Sequence, residues 1–72
     1  MRLVEISKEP VELYKILKFE GMVGSGGEAK MAIAEGYVLV NGEMETRKRR
    51  KIVSGDTIEF GEEKIRIQFS GP

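Results

Sequence analysis

The sequence predicts an α+β fold, with two short helices packed on one side of a small, mostly antiparallel β-sheet. Three observations carry that reading. Apolar residues recur with helical spacing between Val11 and Gly36 and alternate in the strand manner after it. Gly21 and Gly36 stand where each helical pattern ends, the position that glycine favours. Asn41-Gly42, with a β-rich run before it, is the strongest short signal for a two-residue hairpin. The order is strand, helix, helix, then strands joined by tight turns.

Taken in order, Arg2-Leu3-Val4-Glu5-Ile6 alternates, with Leu3 and Glu5 on one face and Val4 and Ile6 on the other. It reads as a short edge strand. Pro10 suits the first turn of a helix, and it pushes Glu9 away from helical backbone angles, so the first helix is expected to start near Pro10. Leu13, Ile16 and Leu17 form its apolar stripe, widened by Val11 and Tyr14, with Lys15 and Lys18 on the polar side. Ser25 followed by Glu28 fits a capping box at the start of the second helix. Ala29, Ala32, Ile33 and Gly36 follow at i, i+3, i+4 and i+7.

Tyr37-Val38-Leu39-Val40 is the next strand, and its return partner is expected from Glu43 to about Lys48. Ser54-Gly55-Asp56 is a turn, Thr57-Ile58-Glu59-Phe60 a strand, and Gly61-Glu62-Glu63 another turn. Lys64 to Phe69 alternates, which turns Ile65, Ile67 and Phe69 inward. Residues 1–72 are expected to form one domain whose tail, Ser70-Gly71-Pro72, is frayed.

Composition then excludes several classes of function. Cysteine and histidine are both absent. No disulfide or thiolate metal site can form, and nucleophilic triads built on histidine are ruled out for the chain alone. No metal and no cofactor are expected. No stretch approaches the roughly 20 apolar residues of a membrane span, and no signal-peptide core follows Met1, so a cytoplasmic location is expected.

Net charge is zero, with 12 basic and 12 acidic residues, but the distribution is uneven. Arg47-Lys48-Arg49-Arg50-Lys51 holds five of the cations, and the remainder carries a net charge of −5. If extended, this segment alternates cations on both faces, so it has no apolar side and must be exposed. A charged edge that discourages strand-to-strand association also calls for cations. Five without an intervening acid exceed that need and point to a polyanion. Arginine's planar fork can grip a phosphate through two hydrogen bonds or stack on a base, which suits bent and single-stranded RNA.

Other features carry less. Gly24-Ser25-Gly26-Gly27 could offer amides to a phosphate, but it lacks the Lys-Ser/Thr ending of a phosphate loop, and a tight turn with helix capping accounts for it better, though both roles can coexist. Glu62-Glu63 and Asp56 read as turn residues, not acid–base pairs. Tyr14, Phe19, Phe60 and Phe69 are expected in the core, leaving Tyr37 as the one aromatic suited to base stacking.

The residues Gly21-x-x-x-Ser25, Glu28-Ala29-Lys30, Gly36-x-Val38-x-Val40-Asn41-Gly42 and Ser54-Gly55-Asp56-x-Ile58 resemble the S-four-type RNA-binding domain, or alpha-L motif, over about residues 10–60. Within that family, Ser25 to Lys30, Ala32 to Gly36 and Glu45 to Ile52 are similar to the small stand-alone YbcJ-like members. The resemblance implies a non-catalytic module that grips structured RNA, often ribosomal, with a basic face formed by the two helices and the following hairpin. Carried onto this sequence, it marks Ser25 and Lys30 at the second helix, Arg47, Lys48, Arg49, Arg50 and Lys51 in the basic segment, and more loosely Lys15 and Lys18. Many members of the broad family carry arginine directly after the Ser25 position, where this chain has Gly26. The contact would then pass to Lys30 and residues 47–51, or to the amides of Gly26 and Gly27.

The expectation is thus a monomeric RNA-binding protein. Charge reversal at Arg47, Arg49 and Arg50 is expected to abolish binding without unfolding. Two rivals stay open: an adaptor docking its basic segment on an acidic or ribosomal protein, and an accessory module for an RNA-modifying enzyme.

Overall fold

Alternating burial along the strands decides which face of the sheet becomes the core, as seen in a computed structural model that describes residues 1–71. Strand β1 (Arg2–Ile6) buries Val4 and Ile6 and exposes Leu3 and Glu5. It pairs in parallel with the last strand, β7 (Glu63–Phe69), and so ties the start of the chain to its end. Strands β3 (Val38–Val40), β4 (Glu43–Met44) and β6 (Thr57–Phe60) complete a five-stranded sheet in the order β1-β7-β6-β3-β4. Every pairing except β1 with β7 is antiparallel. A separate two-residue ladder joins β2 (Val11–Glu12) to β5 (Lys51–Ile52).

The two helices are α1 (Leu13–Phe19) and α2 (Gly26–Ala34). Leu13, Ile16 and Leu17 of α1 and Ala29, Ala32 and Ile33 of α2 join one core with Val38, Val40, Ile52, Ile58, Ile65 and Ile67. Both helices end alike. Gly21 and Gly36 take positive φ, and the residue after each donates its N–H back to the carbonyl five positions earlier, Met22 to Leu17 and Tyr37 to Ala32. At the Asn41-Gly42 turn both residues have positive φ, as the tight hairpin requires. The expected α+β architecture is therefore the one observed.

Four local expectations are corrected. Helix α1 starts at Leu13 and not near Pro10, because Val11 and Glu12 are held extended by the ladder to Ile52 and Lys51. The return strand is only Glu43–Met44 and does not run on to Lys48. It stops where the Glu45 side chain turns inward and accepts the N–H of Arg47. The basic segment is consequently not extended over residues 47–50: Arg50 donates its N–H to the Arg47 carbonyl at 3.3 Å, closing a turn. Lastly, Phe19 and Phe69 lie outside the core, at 68% and 37% exposure. Phe19 falls on the outer side of α1, and the Phe69 ring folds over the backbone of Gly71. Ser70 donates its N–H to the Ile6 carbonyl, while Pro72, the end of the expected frayed tail, lies outside the described residues.

Candidate nucleic-acid interface

The first N–H groups of a helix lack partners within the helix and must find them elsewhere. Glu12, which precedes α1, does not cap it with its side chain. The loop from Glu45 to Arg50 does so with its backbone. Leu13 donates to the Arg50 carbonyl at 2.9 Å and Tyr14 to the Lys48 carbonyl at 3.2 Å. The basic segment is thereby fastened across the start of α1, with the β2–β5 ladder immediately beside it.

Side chains from three separate elements meet at that junction. The Tyr14 ring, half-buried against the core, has the Lys30 ammonium 4.7 Å, the Arg49 guanidinium 5.3 Å and the Lys15 ammonium 6.0 Å from its centroid. Cations at such distances are attracted by the negative ring face. Gly26 sits alongside: a Cβ there would lie 3.9 Å from the Tyr14 ring and from Cδ of Lys18. One carboxylate moderates the cluster, since Glu12 lies 3.3 Å from Lys15 and 3.5 Å from Arg49. Burial would raise the Glu12 pKa, but its bonds and charge interactions with these two cations outweigh that and lower it.

A second carboxylate organises the loop. Glu45 is buried, and its Oε2 accepts the backbone N–H and Nε of Arg47, each at 2.9 Å. Its Oε1 accepts Nη2 of Arg47 at 3.0 Å and Nη1 of Arg50 at 2.8 Å. The Arg47 hydrogen bond holds the Glu45 pKa far below the usual carboxylate range, against the opposing effect of burial and with Arg50 helping. The same bond raises the pKa of Arg47.

These contacts divide the sequence-predicted residues. Lys15, Lys18, Gly26, Lys30 and Arg49 are brought together around Tyr14. Arg47 and Arg50 are committed to Glu45 but still line a shallow depression with Arg49 and Lys51. Lys48 and Lys51 are exposed and form no ion pair among the described residues. Ser25 caps α2, its Oγ accepting the Glu28 N–H at 3.1 Å. Glu28 reaches back to the N–H of Gly24, one residue before the expected partner. Gly27 faces open space beyond Ser25.

The S4 domain family matches residues 4–68. This chain belongs to the S4 domain family. Among similar proteins is "Putative RNA-binding protein YbcJ" of Escherichia coli (strain K12), 48% identical over 68 residues, covering 93% of this chain and 97% of that protein. "Probable ribosome maturation protein RlbA" of Bacillus subtilis (strain 168) is 39% identical over 57 residues, covering 79% of this chain and 80% of its own. The solution structure of YbcJ from Escherichia coli is described as revealing an alfaL motif involved in RNA binding. It superposes with a TM-score of 0.72 and covers 94% of this chain and 87% of that one.

In this S4 domain, sequence reasoning missed three residues that shape the cationic face: Tyr14, Glu12 and Glu45. For Glu45 a signal was present, a single acid at the head of the basic run, two residues before Arg47. Glu12 lies three residues before Lys15, a local pairing signal, but Arg49 reaches Glu12, and Lys30 and Arg49 reach Tyr14, only through tertiary packing. Among the described residues no helix is long and apolar enough to cross a membrane, and no cluster of three or more Asp and Glu could hold a metal ion.

Proposed function

We propose that this S4 domain is a non-catalytic protein that grips structured RNA, ribosomal RNA in the first instance, mainly through its phosphates. The observation that carries the proposal is the convergence of cations from α1, α2 and the loop after β4 on one ring, in a chain whose other residues are net acidic. Lys15, Lys18, Lys30 and Arg49 form the centre of the surface. Lys48 and Lys51 extend it, and Arg47 and Arg50 border it while fixing the loop. Ser25, Gly26 and Gly27 supply the first turn of α2 beside it. Phosphate contacts position a protein without reading bases, so this surface recognises shape and charge more than sequence. The names of the two relatives, "Putative RNA-binding protein YbcJ" and "Probable ribosome maturation protein RlbA", support the target class. We read the chain as acting in solution in the cytoplasm, as a single unit, without a cofactor.

Titration of the labelled protein with a short ribosomal RNA stem-loop, followed by amide chemical shifts, tests the location. Shifts should concentrate at residues 12–15, 25–30 and 47–51. Movement confined to the outer sheet face around Leu3, Thr57 and Arg66, or no movement at low salt, would overturn the assignment.

A further inference from the structure

Long cationic side chains on a surface are ordinarily mobile, and ordering each one on binding weakens an interface by about 2- to 12-fold. Here two of them are already gathered. The Tyr14 ring is partly buried against the core, and Lys30 from α2 and Arg49 from the loop come within 4.7 and 5.3 Å of its centroid. Neither cation is near the other in sequence, and their elements are not hydrogen-bonded neighbours in a sheet. The ring is what they share. It also adjoins Gly26, where an added Cβ would lie 3.9 Å from the ring, in ordinary van der Waals contact. Glu12 offsets the repulsion among the gathered cations by pairing with Lys15 and Arg49.

We infer that Tyr14 is a positioning residue for the RNA-binding face: its ring pre-organises Lys30 and Arg49 for phosphate and does not itself stack on a base. The inference rests on the proposed RNA-binding reading and assigns the face its internal support. The hydroxyl plays no part in it, so the ring alone should suffice. The ring's value to RNA should also exist only through the two cations.

Affinity for a fluorescently labelled transcript of small-subunit ribosomal RNA, measured by anisotropy, tests this with a double-mutant cycle. Tyr14→Phe should bind within about twofold of the wild type, and Tyr14→Leu about 5- to 20-fold more weakly, with circular dichroism showing both folded. In a Lys30→Ala, Arg49→Ala background, Tyr14→Leu should add no further loss. An equal loss in that background would mean that the ring touches RNA directly, and wild-type affinity in folded Tyr14→Leu would remove its role altogether. Either result overturns the inference while leaving RNA binding intact. Absence of salt-sensitive RNA binding by the wild type would overturn both readings together. Should Tyr14→Leu fail to fold, the unmodified protein still tests the inference: the Lys30 Hε resonances should be shifted upfield by the ring in the free protein and stay so in the RNA complex, and positions unshifted in the free protein, or released from the ring on binding, would overturn it.

Discussion

Glu45 accepts hydrogen bonds from Arg47 and Arg50 and is almost wholly removed from water, whereas Arg47 is 72% exposed. The carboxylate therefore depends on its partners more than they depend on it. Replacing it with alanine removes charged hydrogen bonds worth about 2 kcal/mol in total, since the freed arginines can turn to solvent. For a domain of this size that corresponds to a fall in Tm of about 8–16 °C, measurable by thermal circular dichroism. The pH dependence follows from the lowered pKa. Above the ordinary value of 4.5 the stabilisation is fully present, and below it the unfolded chain takes up a proton that the folded chain resists. Stability should therefore fall as pH drops from 4.5 towards about 2, and Glu45→Gln should flatten that part of the profile. A parallel acid limb in the two proteins would contradict the clamp. The same contacts bear on charge reversal at Arg47, Arg49 and Arg50. Acids at 47 and 50 would face Glu45, so that change would strike the loop as well as the surface.

Helix α1 has only seven residues, and its first turn is completed by the loop backbone. Such a short helix is not stable alone. The amides of Leu13 and Tyr14 should exchange with solvent slowly for a helix start, because they bond to Arg50 and Lys48. In Glu45→Ala their exchange should accelerate together with the loop amides. Unchanged protection there would show that the loop holds without its carboxylate. The ends of the elements were legible where the chemistry is local: Ser25 with Glu28, Gly21, Gly36 and Asn41-Gly42 each act within a few residues. The β2–β5 ladder was not legible, because two residues pair with two others some 40 positions away and neither pair has a periodic pattern. Strand β4 was overestimated for a related reason. Its polar continuation looks extended until the Glu45 side chain finds Arg47.

Over the whole molecule, neutrality conceals a separation of charge: one loop and the two helices gather cations while the remainder is acidic. Under the proposed function, that arrangement would steer a polyanion to one surface and repel it from the others. The basic run was visible in the sequence, and so was the resemblance to the S4 family. Which of its cations are free was not, since Glu12 and Glu45 take up Arg49, Arg47 and Arg50 only in the folded chain. Lys30, Lys48 and Arg49 can be replaced by alanine without touching the Glu45 clamp. The most direct test measures the affinity of the wild type and that triple variant for a ribosomal RNA transcript, with a duplex DNA control, across a salt series. The wild type should prefer RNA, with a slope of log K against log salt of about −2 to −4, and the folded variant should lose about 2 of that slope. Equal weak binding to RNA and DNA, or a folded variant that binds as the wild type does, would contradict the account.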